Sequence, residues 1–206
     1  MNPSCITTGR ILAAYQLYLK EYEPASETSR SALEALHRLR EDAGILILAP
    51  EIALQILLAT SLIHYQAPKH HPQARSLFDT VLARKPNSIE ALIGKGRVAL
   101  EAGEFEEAIE FTSKALELEP TNVDARMEHA WALVLTNSLQ DGKSELREAL
   151  RLVDGRDAHS RDMIAEIWWR IGKCLWDEGM MAFRCLLIFQ TQKILETKRT
   201  LPLSPP

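Results

Sequence analysis

Few residues in this chain are placed where they could make or break bonds. His70 and His71 adjoin between Pro68 and Pro72, but no HExxH and no other paired metal spacing accompanies them. Such a proline-bounded turn commonly carries solvated histidines. Gly94-Lys95-Gly96 has residue types that cradle phosphate. The full GxxxxGK[ST] pattern is missing, however, and both glycines fall inside an expected helix. Glu104, Glu106, Glu107 and Glu110 read as the solvated face of a helix rather than a paired acid and base. Cys174 lies within an apolar helical stretch, which suits a core residue better than a nucleophile. No nucleophile elbow occurs. These residues support no enzyme activity, no cofactor and no metal.

Composition narrows the remaining classes. The chain has 206 residues, 46% hydrophobic and 25% charged, with a formal net charge of −4. Those proportions suit a globular or solenoid protein. The negative balance gives no reason to expect a phosphate-binding surface, so direct nucleic-acid binding is not expected. Cys5, Cys174 and Cys185 form no CxxC and no even framework, which reads as reduced thiols in an intracellular protein. Met1 to Gly9 lacks the basic start and apolar run of a signal peptide. The apolar run Ile45 to Ala49 is broken by Pro50 and Glu51, which argues against a membrane span. The expected address is cytoplasmic, with the nucleus left open.

The elements that could position a functional surface are set by a repeat. In Leu82 to Pro120, Gly103, Phe105, Ala108, Ala115 and Pro120 are spaced like the second half of a tetratricopeptide repeat. The same features recur 34 residues either side: Ala74, Ala108, Gly142; Leu82, Leu116, Leu150; Pro86, Pro120, with Asp154 next in phase. Each repeat of this kind is two antiparallel helices that cannot bury their apolar faces alone, so neighbours stack into a continuous core. Small residues such as Ala108 mark the close approach of the paired helices. Pro120 ends the second helix, because proline cannot continue one and restricts the residue before it. The expected class is all-α, a tetratricopeptide-repeat solenoid.

The repeats are expected at about 10–40, 51–86, 87–120 and 121–154, with a partial one at 165–177. Residues 1–9 are read as a flexible N-terminus. In the first repeat Tyr22 and Ala25 match Phe105 and Ala108, and Pro24 suits the first turn of its second helix. Glu41 to Pro50 and Asp154 to Arg161 are connectors that lengthen the period. Glu51 to Gln66 is apolar nearly all round and should be packed on more than one side. Trp168, Ile171, Gly172 and Leu175 keep the large, large, small, large spacing, with Gly172 expected to admit a partner helix. After Asp177 the pattern fails, since Arg184 stands where a small residue belongs. Residues 178–206 are read as an atypical segment with a disordered end, at the limit of a fragment or truncated form.

A repeat solenoid offers a concave surface lined by the first helix of each pair. The register puts Ile93, Arg97, Met127, Trp131, Trp169, Lys173 and Trp176 there, as a protein-binding face. Tryptophan and arginine are enriched among residues that dominate binding energy. Trp168 is read as core, while packing between helices and exposure on the face both stay open for Trp131, Trp169 and Trp176. A well-known subclass of these repeats clamps the carboxylate of heat-shock chaperones with Lys, Asn and Arg. The clamp positions here carry Ala59, Ile63, Ile93, Met127 and Trp131, with only Arg97 basic, so the clamp is absent.

Two stretches carry a narrower resemblance. LATSLIHYQAPKHHPQARSLFDTVLARKP (Leu58 to Pro86) and AEIWWRIGKCLWD (Ala165 to Asp177), with the preceding LREALRLVDG, are similar to segments of the superkiller protein 3 family. YQAPKHHPQA is the more specific part, because the repeat consensus does not dictate it. The resemblance implies a non-catalytic scaffold of the cytoplasmic superkiller complex, which feeds RNA to the exosome for 3′-to-5′ decay. The partners it implies are a DExH-box RNA helicase and a WD-repeat subunit. Other readings are a generic repeat adaptor in assembly or transport and a regulatory segment of a larger enzyme.

Overall fold

The computed structural model describes residues 4–44 and 48–177, and the expected atypical segment 178–206 lies outside them. The described residues are helices joined by turns, with no strand among them. They fall into two compact units, one up to Pro120 and one from Thr121.

The first unit holds α1 (Ser4–Tyr18), α2 (Tyr22–Ala43), α3 (Leu48–His64), α4 (His71–Arg84), α5 (Ile89–Ala102) and α6 (Phe105–Leu118). Short turns make α1/α2, α3/α4 and α5/α6 antiparallel pairs. The pairs stack as repeats do: α3 packs on α1 and α2, and α5 packs on α3 and α4. The all-round apolar helix α3 is accordingly buried from several sides, through Leu54, Leu58, Ala59, Leu62 and Ile63. With Leu36 of α2 and Phe78 and Val81 of α4 these residues form one core. Ala25, Ala74 and Ala108 are completely buried, as the close-approach role of their shared repeat position requires. At Gly103 the chain leaves α5 with φ of +80°, a backbone conformation that favours glycine, and the following N–H of Glu104 returns to the Ala99 carbonyl.

Gly94 and Gly96, set aside above as a phosphate loop, have a packing role. A Cβ on Gly94 would lie 2.2 Å from Cζ of Phe78, and one on Gly96 2.8 Å from Cγ2 of Thr112. The glycines let α4 and α6 approach α5 from its two sides.

The second unit holds α7 (Val123–Leu135), α8 (Leu139–Leu152) and α9 (Ala158–Asp177). The Asn122 side chain caps α7 by accepting from the Ala125 N–H at 3.0 Å. α8 packs on α7 at Gly142, where a Cβ would meet the Ala130 carbonyl at 2.8 Å. α9 packs on both. Met127, Ala130, Leu146, Ala149, Ile167, Ile171 and Cys174 make this unit's core.

Several boundaries differ from the sequence reading. α1 begins at Ser4, and Ile6 is buried in the first core, so part of the segment read as flexible (residues 1–9) is helical. α3 begins at Leu48, which puts the expected breaker Pro50 in its first turn, where a missing N–H leaves nothing unpaired. α9 begins at Ala158, inside the expected connector. Asp157 caps it, accepting from the Ser160 N–H at 2.8 Å. The start of α9 is polar and carries no apolar periodicity, and its Asp157 cap is legible only once the helix is present. Gly172 has no atom within 4 Å of a built Cβ among the described residues, and the helix expected to approach it lies outside them.

Candidate partner-binding surface

In the first unit α5 carries two of the expected face residues, Ile93 and Arg97, both half-buried. The same unit answers the question of chemistry at the other singled-out side chains. His71 is buried, not solvated, with Nε2 3.1 Å from the Ile63 carbonyl at the end of α3. His70 stacks on Tyr65, with ring centroids 5.5 Å apart. Glu104 and Glu107 are not merely solvated: both bind the Arg75 guanidinium of α4, Glu107 at 2.6 Å. That contact holds the Glu104 carboxyl below its ordinary pKa, chiefly through the hydrogen bond from Arg75. Glu110 is likewise lowered, by its hydrogen bond from Lys114 one turn on.

The second unit holds the other five. Trp131 of α7 is half-buried, and Trp169 of α9 is 60% exposed. Their ring centroids are 5.9 Å apart at 42°, a tilted aromatic pair bridging two first helices. Trp169, Lys173 and Trp176 follow at i, i+4 and i+7, so α9 presents them as one exposed stripe. Trp168, half-buried, packs against the core as expected. Met127 departs from expectation. It is buried in the core and supports the face from beneath rather than forming it.

Against Trp131 lies Arg170, which the sequence reading missed. Its side chain is nearly buried. It donates to the Met127 carbonyl at 2.8 Å and pairs with the buried Glu128 at 3.3 Å. It also bonds Glu166 at 2.9 Å, one turn back on α9. The guanidinium carbon lies 5.6 Å from the Trp131 ring centroid. A cation against the indole face is attracted by the ring quadrupole. The available signal was an arginine set between Ile167, Ile171 and Cys174 on the inward stripe of α9, where an unpaired charge could not remain. On α7, burial pushes the His129 imidazole below its ordinary pKa.

This arrangement presents a rigid aromatic patch with a buried ionic brace. Among the described residues no three His, Cys, Asp or Glu side chains gather as a metal site would require. No described helix is long and apolar enough to cross a membrane.

Stacked antiparallel helix pairs with small residues at their close approaches define a tetratricopeptide-repeat protein. Tetratricopeptide-repeat profiles match residues 69–123 and 99–167. Among solved structures, a thermophilic TPR protein of Thermus thermophilus superposes with a TM-score of 0.64 at 15% identity, covering 92% of this chain and 98% of that one. MamA (residue 41 to the end) from Desulfovibrio magneticus RS-1 gives 0.61 at 14% identity, covering 94% and 96%. These likenesses establish the fold. Superkiller protein 3 of Schizosaccharomyces pombe is 32% identical over 82% of this chain, and that of Saccharomyces cerevisiae 26% over 93%. The chain belongs to the superkiller protein 3 family. It spans 12% and 14% of the lengths of those two relatives.

Proposed function

We propose that this tetratricopeptide scaffold serves a superkiller-type complex in cytoplasmic 3′-to-5′ mRNA decay. Its role there is non-catalytic: it holds a DExH-box RNA helicase and a WD-repeat subunit in an exosome-linked assembly. The observation that carries the reading is the 32% identity to the Schizosaccharomyces pombe relative over 82% of this chain. The net charge of −4 favours protein partners over RNA for this segment. In the first unit the residues offered to a partner are Ile93 and Arg97; in the second unit, taken by itself, they are Trp131, Trp169, Lys173 and Trp176. Exposed Trp169, braced by Trp131, has the character of a binding hot spot.

The test is affinity purification of the chain from its native extract, with partners identified by mass spectrometry. Recovery of the helicase and the WD-repeat subunit, and their loss with Trp169→Ala, supports the proposal. Recovery of chaperones alone, or of an unrelated assembly, assigns the scaffold to a different adaptor role.

A further inference from the structure

The exposed side of α9 carries Asp162, Glu166, Trp169, Lys173 and Trp176, spaced i, i+4, i+7, i+11 and i+14 along one stripe. Charge along the stripe changes sign at Trp169. Two carboxylates precede the indole and one ammonium follows it. Glu166 stands three residues before Trp169, which makes its carboxylate and the indole neighbours on the helix surface. Trp169 is 60% exposed and the Glu166 side chain 46%, so an incoming group can touch both.

The inner side of the same place shows which group suits it. The Arg170 guanidinium lies 5.6 Å from the Trp131 ring centroid, and its Nε donates to Oε1 of Glu166 at 2.9 Å. It also pairs with buried Glu128 at 3.3 Å. One cation thus serves two carboxylates, and these three side chains together keep one negative charge in excess. Glu128 is almost wholly buried, so the exposed Glu166 is the member that can offer that charge to a partner. The bond from Arg170 uses Oε1 of Glu166 and leaves Oε2 for a second donor. A guanidinium is the group that stacks flat on an indole while its forked N–H donors reach a carboxylate.

We infer that Trp169 and Glu166 of α9 receive an arginine side chain of the protein partner, an inference that rests on the reading of this face as a partner-binding one. The incoming guanidinium lies on the open face of the Trp169 indole and donates to Oε2 of Glu166. It repeats on the outside what Arg170 does with Trp131 and Glu166 on the inside. Arginine is preferred to lysine, because a compact ammonium is more strongly hydrated and cannot stack and fork at once. An acidic residue in that place meets Glu166 and Asp162 as like charges. Lys173 follows Trp169 by one turn and repels a cation on its own side. The arginine therefore enters from the Glu166 side. Its role is to orient the partner and select it, as charge complementarity does more than it adds raw affinity.

The test titrates the full chain with the peptide acetyl-Gly-Arg-Gly-amide and with its citrulline, lysine and glutamate counterparts, following the indole N–H resonances by NMR. Trp169→Leu identifies the Trp169 resonance by its loss. That resonance should shift saturably with the arginine peptide, with a dissociation constant about fivefold or more below that of the citrulline peptide, which keeps the shape without the charge. The lysine peptide should fall between them. Glu166→Gln should weaken the arginine peptide about threefold. Lys173→Gln should strengthen it about twofold, a gain that damage to the fold cannot produce. Equal responses to arginine and citrulline overturn the inference. So does tighter binding of the glutamate peptide, or a Trp169 resonance that stays fixed throughout the arginine titration. Arginine selectivity without capture of the helicase and the WD-repeat subunit would remove those partners and keep this inference. Their capture through Trp169 without arginine selectivity would do the reverse.

Discussion

Arg170 of α9 and Glu128 of α7 form an ion pair 3.3 Å apart with both side chains almost wholly buried. Removing one member of such a pair strands the other in a low-dielectric site, while replacing both with apolar groups can be neutral. Arg170→Met should therefore destabilise the second unit by about 3–5 kcal/mol. Adding Glu128→Leu should recover most of that loss, although the Met127 carbonyl loses its extra donor. Urea unfolding followed by tryptophan fluorescence measures both. Equal losses in the single and double variants would show that Glu128 is not the partner that matters.

Trp169 separates binding from stability because it is 60% exposed. Trp169→Ala should change unfolding free energy by no more than about 0.5 kcal/mol. It should weaken capture of the protein partner by about 2 kcal/mol or more, some thirtyfold. Trp131→Ala should lose stability as well, since that ring packs against the core. Titrated pull-downs beside thermal melts distinguish the two, and wild-type capture by the Trp169 variant would remove this face from the binding site.

Gly94 should resist even one methyl group. A Cβ there would stand 2.2 Å from the Phe78 ring. Gly94→Ala gains about 1 kcal/mol of helix propensity but should still lose a net 1–3 kcal/mol or so by overpacking. Combining it with Phe78→Leu should cost less than the sum of the single changes, a coupling that a double-mutant cycle in denaturant detects. Additive losses would mean that the two residues do not meet.

His129 makes the second unit sensitive to mild acid. Burial holds its folded pKa below the ordinary value of about 6.5, so the unfolded chain binds the proton more readily. Its contribution is fully present above about 6.5 and is lost as pH falls from there through the folded value. Between pH 7.5 and 5 the wild type should lose more stability than His129→Gln. Denaturant midpoints at several pH values provide the comparison, and parallel pH curves would exclude the histidine as the cause.

The repeat period, the helix pairs and their close approaches were legible in the sequence because they are local. Ala25, Ala74, Ala108 and Gly142 recur at spacings set by the covalent chain, and a small residue is needed wherever two antiparallel helices of a pair touch. Resemblance in YQAPKHHPQA and AEIWWRIGKCLWD carried the family as well. The helix starts were less legible, since Ser4 and Ala158 open first turns without an apolar stripe and Pro50 reads as a breaker although it sits in the first turn of α3. Tertiary structure alone decided that Met127 is buried, that His71 ties down the end of α3, and that Arg170 meets Glu128 across 42 residues of chain. Spacing along one helix assigns a residue to a stripe. Which residues of two stripes meet depends on the rotation and offset of one helix against the next, and side-chain packing across the whole unit sets both.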